Sequence, residues 1–341
     1  MADTLRNLPK VQLHVHLEGT ITPELFLSLA RRHGVDLGRL KNRSADEVYH
    51  FTNFQEFLYL FRDVCQALAA PEDYGVLAAG YARAATEEGV HYAEVFVSPS
   101  VWTYFHRAID VRAAMESIRE ALDAEQRRSG LVVKLIVDLT RNFGPARAHK
   151  TLAYARQMQD LGVIGIGLGG DEANVPAREF KGVFEEAREH GLHTVAHAGE
   201  AEAAWSVRDA VEIIGAERIG HGFTASHDPA VLELLAERQI CVEVCPTSNE
   251  LTGIWTKGSP HALLAFDRAG VPVAIDADDP ALFGTTLLGE YERVAAMVGS
   301  EGVRRFARNA VAHSFADAQT KASLLERIDA YAGEDRLTAN G

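Results

Sequence analysis

The chain has 341 residues, 47% of them hydrophobic, and its 34 basic and 48 acidic side chains give a formal net charge of −14. This length supports a large buried core, and the acidic balance disfavours nucleic-acid and membrane partners, whose phosphates are anionic. Three scattered cysteines do not form a disulfide framework. Because no run reaches the roughly 18 apolar residues of a membrane span and no secretory signal opens the chain, the sequence predicts a cytoplasmic protein.

The first predicted strand, residues 11–17, carries two histidines. His14 and His16 are two positions apart, so both imidazoles project from the same face of a strand. Two imidazoles at a strand end are suited to clamping a divalent metal such as zinc. An isolated His-x-His pair is more often structural or solvated, so the rest of the chain has to supply further ligands.

A helix-rich insertion is predicted after this strand, over about residues 20–72. A Thr cap followed by Pro23 and Glu24 marks a helix start, and helical spacing of apolar residues returns over 51–70. An insertion of this length at the carboxyl end of a strand commonly forms a lid or a pocket wall.

From residue 73 onward, predicted helices alternate with short apolar strands. The further strands are predicted at 91–98, 131–139, 163–168, 192–197, 218–221, 240–244 and 271–276, and a terminal helical region begins at about 286. Eight strands rich in Val, Ile and Leu are what a parallel sheet covered on both faces requires. The pattern predicts a (β/α)8 TIM barrel as a single domain over 1–341, with a doubly wound open sheet as the alternative.

Polar clusters directly follow most of the predicted strands. Catalytic groups of a barrel lie at the carboxyl ends of its strands. These ends carry His14 and His16, Gly170 with Asp171 and Glu172, His197 and Glu200, His221, residues 245–249, and Asp276 with Asp278 and Asp279. Six such ends at one edge are hard to assign to chance, although Glu200 alone fits a helix N-terminal carboxylate and His221 alone fits an ordinary buried histidine.

Four motifs together resemble the adenosine deaminase family of the amidohydrolase superfamily, and the resemblance covers nearly the whole chain in order. They are His14-Val15-His16-Leu17, His197-Ala198-Gly199-Glu200, His221-Gly222 and Asp278-Asp279-Pro280. The resemblance implies a zinc-dependent hydrolytic deaminase that removes the 6-amino group of an adenosine-type purine nucleoside and releases ammonia and an inosine-type product. It also implies one Zn²⁺ per chain, with His14, His16, His197 and Asp278 as ligands.

The resemblance implies catalytic roles as well. Glu200 would protonate the ring nitrogen beside the reacting carbon, His221 would orient hydroxide and take up or stabilise charge, and Asp279 would assist proton transfer to ammonia. The substrate contacts would come from His16, Glu18, Asp279 and the backbone of Gly170. Histidine and carboxylate ligands also accept Fe²⁺ or Mn²⁺, so the motifs do not fix the metal. The oligomeric state stays open.

Departures from the family pattern leave the substrate open. Glu18 stands where adenosine deaminases usually carry an Asp that resembles a ribose 5′-hydroxyl contact, and Glu is typical of relatives that deaminate free adenine. The run Gly169-Gly170-Asp171-Glu172 instead resembles the nucleoside type. Aminodeoxyfutalosine, an adenosine-like nucleoside altered at the 5′ position, is a third candidate substrate. An amidohydrolase of another substrate class and a catalytically inactive barrel that serves as an interaction module are the competing readings.

A second departure concerns two positions inside the barrel. Relatives often carry Asp at the position of Gly167 and Asn at the position of Asp276. We therefore expect a buried carboxylate on strand eight to replace one on strand four, with Asp276 pointing into the barrel interior.

Overall fold

A computed structural model, which describes residues 2–331, arranges eight parallel strands side by side in chain order. The strands are β1 Lys10–His16, β2 Val90–Val97, β3 Val132–Thr140, β4 Val163–Gly169, β5 His193–Ala198, β6 Arg218–His221, β7 Cys241–Val244 and β8 Val273–Ile275. Each strand begins and ends within a few residues of its predicted bounds. The part of the predicted terminal helical region beyond residue 331 lies outside the described residues.

Helices connect the strands and cover the outside of the sheet. They are α1 Ala2–Asn7, α2 Pro23–His33, α3 Ala45–Val48, α4 Phe54–Ala67, α5 Pro71–Glu87, α6 Pro99–Phe105, α7 Val111–Ser129, α8 Gly144–Gln157, α9 Lys181–Glu189, α10 Ala204–Glu212, α11 Pro229–Glu237, α12 Pro246–Leu251, α13 Leu263–Ala269, α14 Pro280–Phe283, α15 Leu287–His313 and α16 Ala318–Ala330. Sequence reasoning missed five short ones, α1, α3, α6, α12 and α14. Over residues 2–331, no helix has the length and apolarity that crossing a membrane requires.

The sheet closes where the chain beyond β8 meets β1. The backbone N–H of His16 donates to the carbonyl of Asp278 at 2.9 Å, and the N–H of Asp278 donates to the carbonyl of His14 at 3.1 Å. The carboxylate of Asp276 accepts from the N–H groups of Leu13 and His14, at 2.7 and 2.9 Å. The closure confirms the predicted (β/α)8 barrel and excludes the open sheet.

Asp276 is fully buried, but its carboxylate serves the junction between β8 and β1. The carboxylate beside Gly167 belongs to Asp138 on β3, since a Cβ on Gly167 would lie 2.8 Å from Asp138 Oδ1. The absence of a side chain at Gly167 is thus matched by an acid on the neighbouring strand β3, and Asp276 has a separate structural function.

The lower interior of the barrel is filled by apolar side chains and a buried ion cluster. Phe96, Ile136 and Val195 pack together above Phe315. Beside them the guanidinium of Arg218 lies 2.6 Å from the carboxylates of both Glu94 and Glu243. Because every member of this cluster is buried and charge-paired, the base of the barrel is a fixed platform for the polar edge above it.

The insertion after β1 contains α2, α3 and α4, and α4 forms a wall over the carboxyl edge of the barrel. Asn53 caps α4 by accepting from the N–H of Glu56 at 3.0 Å. Phe57 stacks on Phe283 of α14 with ring centroids 4.7 Å apart, and Phe61 lies edge-on to His16. The predicted helical insertion and its function as a pocket wall are confirmed.

Candidate active site

Three strand ends bring four predicted ligands into one buried cluster. His16 Nε2 lies 3.1 Å from His197 Nε2, and Asp278 Oδ1 lies 3.4 Å from the Nε2 atoms of both His14 and His16. Ligand atoms of a tetrahedral site are separated by about 1.6 times the bond length, which is about 3.4 Å for zinc bonds of roughly 2.1 Å. The observed separations therefore match the edges of a metal coordination shell.

Unpartnered nitrogen atoms in the cluster are a second indication of a metal. His14 Nε2 is buried and has no hydrogen-bond partner within the described part of the chain. A buried polar atom without a partner is costly unless something else satisfies it. His14, His197, His221 and Asp278 form one group with potential ligand atoms within 4.8 Å of one another, and His16, Asp278 and Asp279 form another. These side chains fit a divalent cation such as Zn²⁺.

The orientation of His14 is set from below by Glu243. The Nδ1–H of His14 donates to Glu243 Oε2 at 2.9 Å, and Glu243 Oε1 is held by Arg218 at 2.6 Å. In the neutral ring, a proton on Nδ1 leaves the lone pair on Nε2, which faces the cluster. Carboxylates of this kind fix the tautomer of metal-binding histidines and increase their basicity.

Two of the clustered residues have unusual backbone geometry. Within residues 2–331, only His221, Gln239 and Asp278 combine a side chain with a positive φ, and the values for His221 and Asp278 are 62° and 61°. This left-handed conformation is unfavourable for most side chains. Its occurrence at two neighbouring polar residues marks the edge as a functional site.

Glu200 lies on the loop after β5, and Glu172 organises that loop. The carboxylate of Glu172 accepts from the backbone N–H groups of Gly199, Glu200, Ala201 and Glu202 at 2.6–3.1 Å. It also accepts from the hydroxyl of Ser206 at 2.5 Å. A single buried carboxylate therefore fixes the backbone on which Glu200 stands. The sequence placed Glu172 at a polar strand end beside Gly170 and Asp171, but it did not indicate that Glu172 binds the loop that carries Glu200.

Glu200 itself is poised to carry a proton. Burial, followed by the negative charges of Asp278 and Glu172, raises the pKa of Glu200 to about 8. Its Oε2 lies 3.7 Å from His221 Nε2. A pKa raised in this direction favours the carboxylic acid, which is the form a proton donor needs.

Replacing Glu172 by Gln is expected to lower kcat by roughly 10–100-fold. The amide of Gln keeps one acceptor oxygen, so several N–H groups of the loop lose their hydrogen-bond partner, at a cost of about 1–3 kcal/mol each. Because this loop positions Glu200, the loss of order raises the activation barrier and lowers kcat. Steady-state kinetics and thermal unfolding measure the effect. Exposed Glu179, replaced by Gln, is the matched control. An unchanged kcat in a folded E172Q protein would contradict this function of Glu172.

Asp279 occupies space that Gly19 leaves free. A Cβ on Gly19 would overlap the Asp279 carboxylate. Asp279 is 3% exposed, and its Oδ1 has no hydrogen-bond partner among the described residues. Burial and the adjacent charge of Asp278 raise its pKa well above the ordinary value. Gly19 thus does more than end the first strand, because it makes room for an acidic group at the cavity floor.

Replacing Gly19 by Ala is expected to displace Asp279 and to reduce kcat, while the protein still folds. Inserting a methyl group into a packed site costs about 1–3 kcal/mol. The control is Gly182→Ala, because Gly182 has open space around its Cβ position. Circular dichroism and kinetics of both variants test the prediction, and equal activity of the two would refute it.

His221 lies at the back of the cluster. Its Nε2 is 3.9 Å from Asp278 Oδ2, and its Nδ1 is 3.3 Å from the side-chain nitrogen of Asn249. Burial lowers the pKa of His221 to about 4, so the ring is neutral at physiological pH. The structure brings His221 to the same point as the four predicted ligands and Glu200.

A cavity of about 390 Å³ opens above these residues. Its floor includes His16, His197, Glu200, Asp278 and Asp279. Its outer walls come from α4, from α6 and from the segment after β3, and they are mainly apolar. The apolar lining residues are Phe54, Phe57, Leu58, Phe61, Val101, Phe105 and Phe143. The cavity thus has a polar, acid-rich base and an aromatic outer half.

Gly170 lies on the cavity wall beside β4, as the sequence predicted. Its φ is +94°, and a Cβ would come within 2.5 Å of Asn142 Oδ1. A side chain is therefore excluded, and the backbone of Gly170 faces the cavity. Next to it, Asp138 reaches the cavity with an Oδ1 atom that has no partner in residues 2–331. Sequence reasoning missed Asp138, which appears there only as the single acid of an apolar strand.

Glu18 is placed differently from the other predicted site residues. It is fully buried and is not among the described residues that line the cavity. Its Oε1 accepts from the indole of Trp102 at 2.6 Å and from the N–H of Ser98 at 3.0 Å. The carboxylate is therefore directed toward the junction of β2 and α6, and the structure does not bring it together with His14, His16, His197 and Asp278.

A (β/α)8 barrel whose strand ends gather histidines and aspartates with metal-ligand spacing defines the class of metal-dependent hydrolase barrels. Comparison with known proteins gives the family. The sequence model of the family described as "Adenosine deaminase" matches residues 9–331. The chain belongs to the adenosine deaminase family and is a hydrolytic deaminase.

Individual relatives support this assignment. An aminodeoxyfutalosine deaminase from Streptomyces coelicolor is 37% identical over 96% of this chain and 85% of that protein. The crystal structure of an adenine deaminase from Arthrobacter aurescens matches with a TM-score of 0.87 and 29% identity, covering 94% of this chain and 98% of that one. An amidohydrolase from Burkholderia ambifaria, solved with bound Zn, matches with a TM-score of 0.87 and 25% identity, covering 99% of this chain and 95% of that one.

Proposed function

We propose that this protein removes the 6-amino group of an adenosine-type purine nucleoside and releases ammonia and the 6-oxo product. The observation that carries the proposal is the carboxyl group of Glu200 beside a metal-binding cluster, inside a cavity with an aromatic outer half, where burial and neighbouring negative charges raise its pKa to about 8. Hydrolysis of an amino group from an aromatic ring needs a proton on the neighbouring ring nitrogen, and Glu200 is positioned to supply it.

The metal in this proposal is one Zn²⁺ per chain, held by His14, His16, His197 and Asp278. The related amidohydrolase solved with bound Zn supports the choice of ion. A zinc ion in such a site lowers the pKa of a water ligand toward neutrality. Glu243 supports the ion indirectly by keeping the His14 lone pair directed at the cluster.

The chain's own residues divide the remaining tasks. Glu200 protonates the purine ring nitrogen beside the reacting carbon, and Asp279, buried and with a raised pKa, takes part in moving a proton to departing ammonia. His221 orients the attacking water and stabilises charge, and the backbone of Gly170 contacts the purine face. Asp138 offers an unpartnered oxygen to a polar group at the far edge of the base or on the ribose.

The shape of the cavity favours a nucleoside over the free base. Adenine anchored by Glu200 and the cluster would leave the space between Phe57, Leu58 and Phe105 unfilled. A ribose and any group on its 5′ carbon extend into that space. Burying apolar surface there stabilises binding by about 25 cal/mol per Å² of apolar area removed from water.

A specific observation favours aminodeoxyfutalosine as a second candidate. Trp102 and Ser98 bind Oε1 of Glu18, and its buried Oε2 has no partner among the described residues. Because Glu18 does not line the cavity, a 5′-hydroxyl there lacks this expected partner. The outer wall is aromatic, which suits an aromatic 5′ substituent better than a bare hydroxyl. The similarity to the aminodeoxyfutalosine deaminase of Streptomyces coelicolor points the same way.

A direct comparison of substrates tests the proposal. Ammonia release by the zinc-loaded protein is measured with adenosine, 2′-deoxyadenosine, adenine and aminodeoxyfutalosine. We expect a higher kcat/KM for the nucleosides than for adenine, and the highest for aminodeoxyfutalosine if the aromatic wall binds the 5′ group. Turnover of none of them would refute the proposed function, and a clear preference for adenine would refute the nucleoside assignment.

A further inference from the structure

Behind His221, on the side away from the cavity, lies a buried chain of hydrogen-bonding groups. Asn249 of α12 is 0% exposed, and His261, which precedes α13, is 2% exposed. Asn249 Nδ2 is 3.3 Å from His221 Nδ1, Asn249 Oδ1 is 3.2 Å from His261 Nε2, and the backbone nitrogen of Leu263 is 3.1 Å from His261 Nδ1. Neither Asn249 nor His261 is among the described residues that line the cavity.

The direction of every bond in this chain follows from its last member. A backbone N–H can only donate, so Leu263 makes His261 Nδ1 an acceptor without a proton. A neutral imidazole with an unprotonated Nδ1 carries its proton on Nε2, and His261 therefore donates to Asn249 Oδ1. The amide nitrogen of Asn249 then faces His221 and donates to its Nδ1. His221 in turn must carry its proton on Nε2.

The reverse polarity is excluded by the same geometry. If the Asn249 amide were rotated, its nitrogen would face His261 Nε2 and would require that atom to accept. His261 would then carry its proton on Nδ1, directly against the Leu263 N–H. A doubly protonated His261 would create the same conflict. Two buried donors that face each other are strongly unfavourable.

Packing holds the hydrogen-bonded side chains of Asn249 and His261 in place behind His221. The ring of His261 is edge-on to Trp255 and to Phe223, with centroids 4.9 and 5.3 Å apart. The backbone N–H of Trp255 donates to the backbone carbonyl of Asn249 at 2.8 Å. These contacts fix the His261 ring and the backbone of Asn249, and the side-chain amide is then held between His221 and His261.

We propose that Asn249 and His261 are positioning residues that hold His221 in its Nε2–H tautomer, so that His221 donates a hydrogen bond into the active site and does not act as a base there. The protonated nitrogen faces Glu200 Oε2 at 3.7 Å and Asp278 Oδ2 at 3.9 Å, which are both potential acceptors. The effect on turnover rests on the proposed function, whereas the tautomer is a property of the protein alone.

Nuclear magnetic resonance of the zinc-loaded protein with ¹⁵N-labelled histidine tests the tautomer directly. The His221 signals are assigned by their loss in His221→Gln. We expect a protonated Nε2 and an unprotonated Nδ1 in the unaltered protein. A protonated Nδ1 would overturn the proposal. If the protein shows the expected tautomer but deaminates none of the purines tested, the tautomer supports this inference, and the lack of turnover contradicts only the proposed function.

Two pairs of variants test the chain of groups. Asn249→Asp replaces the donor toward His221 by an acceptor, so the His221 proton should move to Nδ1 and kcat should fall by roughly 10²–10⁴-fold, as when a catalytic histidine is held in the wrong tautomer. KM should change much less than kcat. The control is Asn42→Asp at an exposed position. An unchanged tautomer in N249D would overturn the proposal.

The second pair separates polarity from packing. His261→Gln keeps a donor for Asn249 and an acceptor for Leu263, so it should retain the Nε2–H tautomer and most of kcat. His261→Phe keeps the ring volume but neither polar atom, so the Asn249 amide loses its fixed orientation and the tautomer should become mixed. Equal spectra and equal kcat in H261Q and H261F would overturn the proposal even if N249D fails to fold.

Discussion

Replacing Glu200 by Gln is expected to lower kcat by roughly 10²–10⁴-fold, the usual range for loss of a general acid, with much less change in KM. Gln fills nearly the same volume and still offers a hydrogen bond, but it has no proton to transfer. Burial and the negative charges of Asp278 and Glu172 raise the pKa of Glu200 to about 8, which favours its acid form. The decrease in kcat is therefore expected in the chemical step, which single-turnover measurements separate from substrate binding and product release.

The matched control for this variant lies two residues further along the same loop. The backbone N–H of Glu202 also donates to the carboxylate of Glu172, but Glu202 is not among the described residues lining the cavity. Glu202→Gln should therefore keep kcat within a few-fold of the unaltered protein. A normal kcat in E200Q, with the protein folded, would remove Glu200 from the mechanism.

The pH dependence of kcat/KM provides an independent check on Glu200. Its pKa is raised to about 8, so the active acid form predominates below that value and is lost as the pH rises through it. A divalent cation bound by the neighbouring residues favours the carboxylate, so the alkaline decline should be centred at about pH 8 or below. E200Q should show no decline of this origin.

The barrel could be predicted from the sequence because it depends on a local pattern, whereas the full set of metal ligands was implied by the resemblance to the family. Short apolar strands of similar length alternate with helices, and this pattern alone predicts parallel pairing. His14 and His16 are placed on one face by the two-residue period of a strand, and the strand ends meet at one edge of any such barrel. The structure adds the distances, which show that the nitrogen and oxygen atoms of these side chains converge.

Residues that act through long-range contacts could not be predicted in the same way. Glu18 follows β1 by two positions, so its sequence neighbours suggest the cavity, yet its Oε1 is bound by Ser98 and Trp102, which lie at the end of β2 and in α6. Glu243 is a lone acid in an apolar strand, and only the position of Arg218 and His14 reveals what it does. The direction of a buried side chain depends on partners that the local sequence does not contain.

The polarity behind His221 is also a property of tertiary structure. The run 245–249 is recognisable as a polar strand end, but nothing in it indicates that Asn249 faces His221 on one side and His261 on the other. His261 lies in a loop twelve residues further along the chain. Its ring nitrogen acquires a defined function only because the N–H of Leu263 points at it.

Replacing Asp278 by Asn is expected to abolish measurable deamination and to weaken Zn²⁺ binding by more than the roughly 10–100-fold typical for loss of an outer partner of a metal ligand. Asp278 Oδ1 lies 3.4 Å from two imidazole nitrogens, which places it as a ligand in the proposed metal site with His14 and His16. Asn tolerates the φ of 61° found at this position. The substitution therefore removes the charge while keeping the backbone.

Zinc affinity, measured by competition with a chromogenic chelator, is the decisive readout because it does not depend on knowing the substrate. Exposed Asp46, replaced by Asn, is the control and should bind zinc normally. Glu243→Gln should fall between the two, because it loosens His14 without removing a ligand. Full zinc affinity in D278N would refute the assignment of this aspartate as a ligand. The expected order of zinc affinities would show that the buried carboxylate of Glu243 supports the metal site at the carboxyl edge of the barrel.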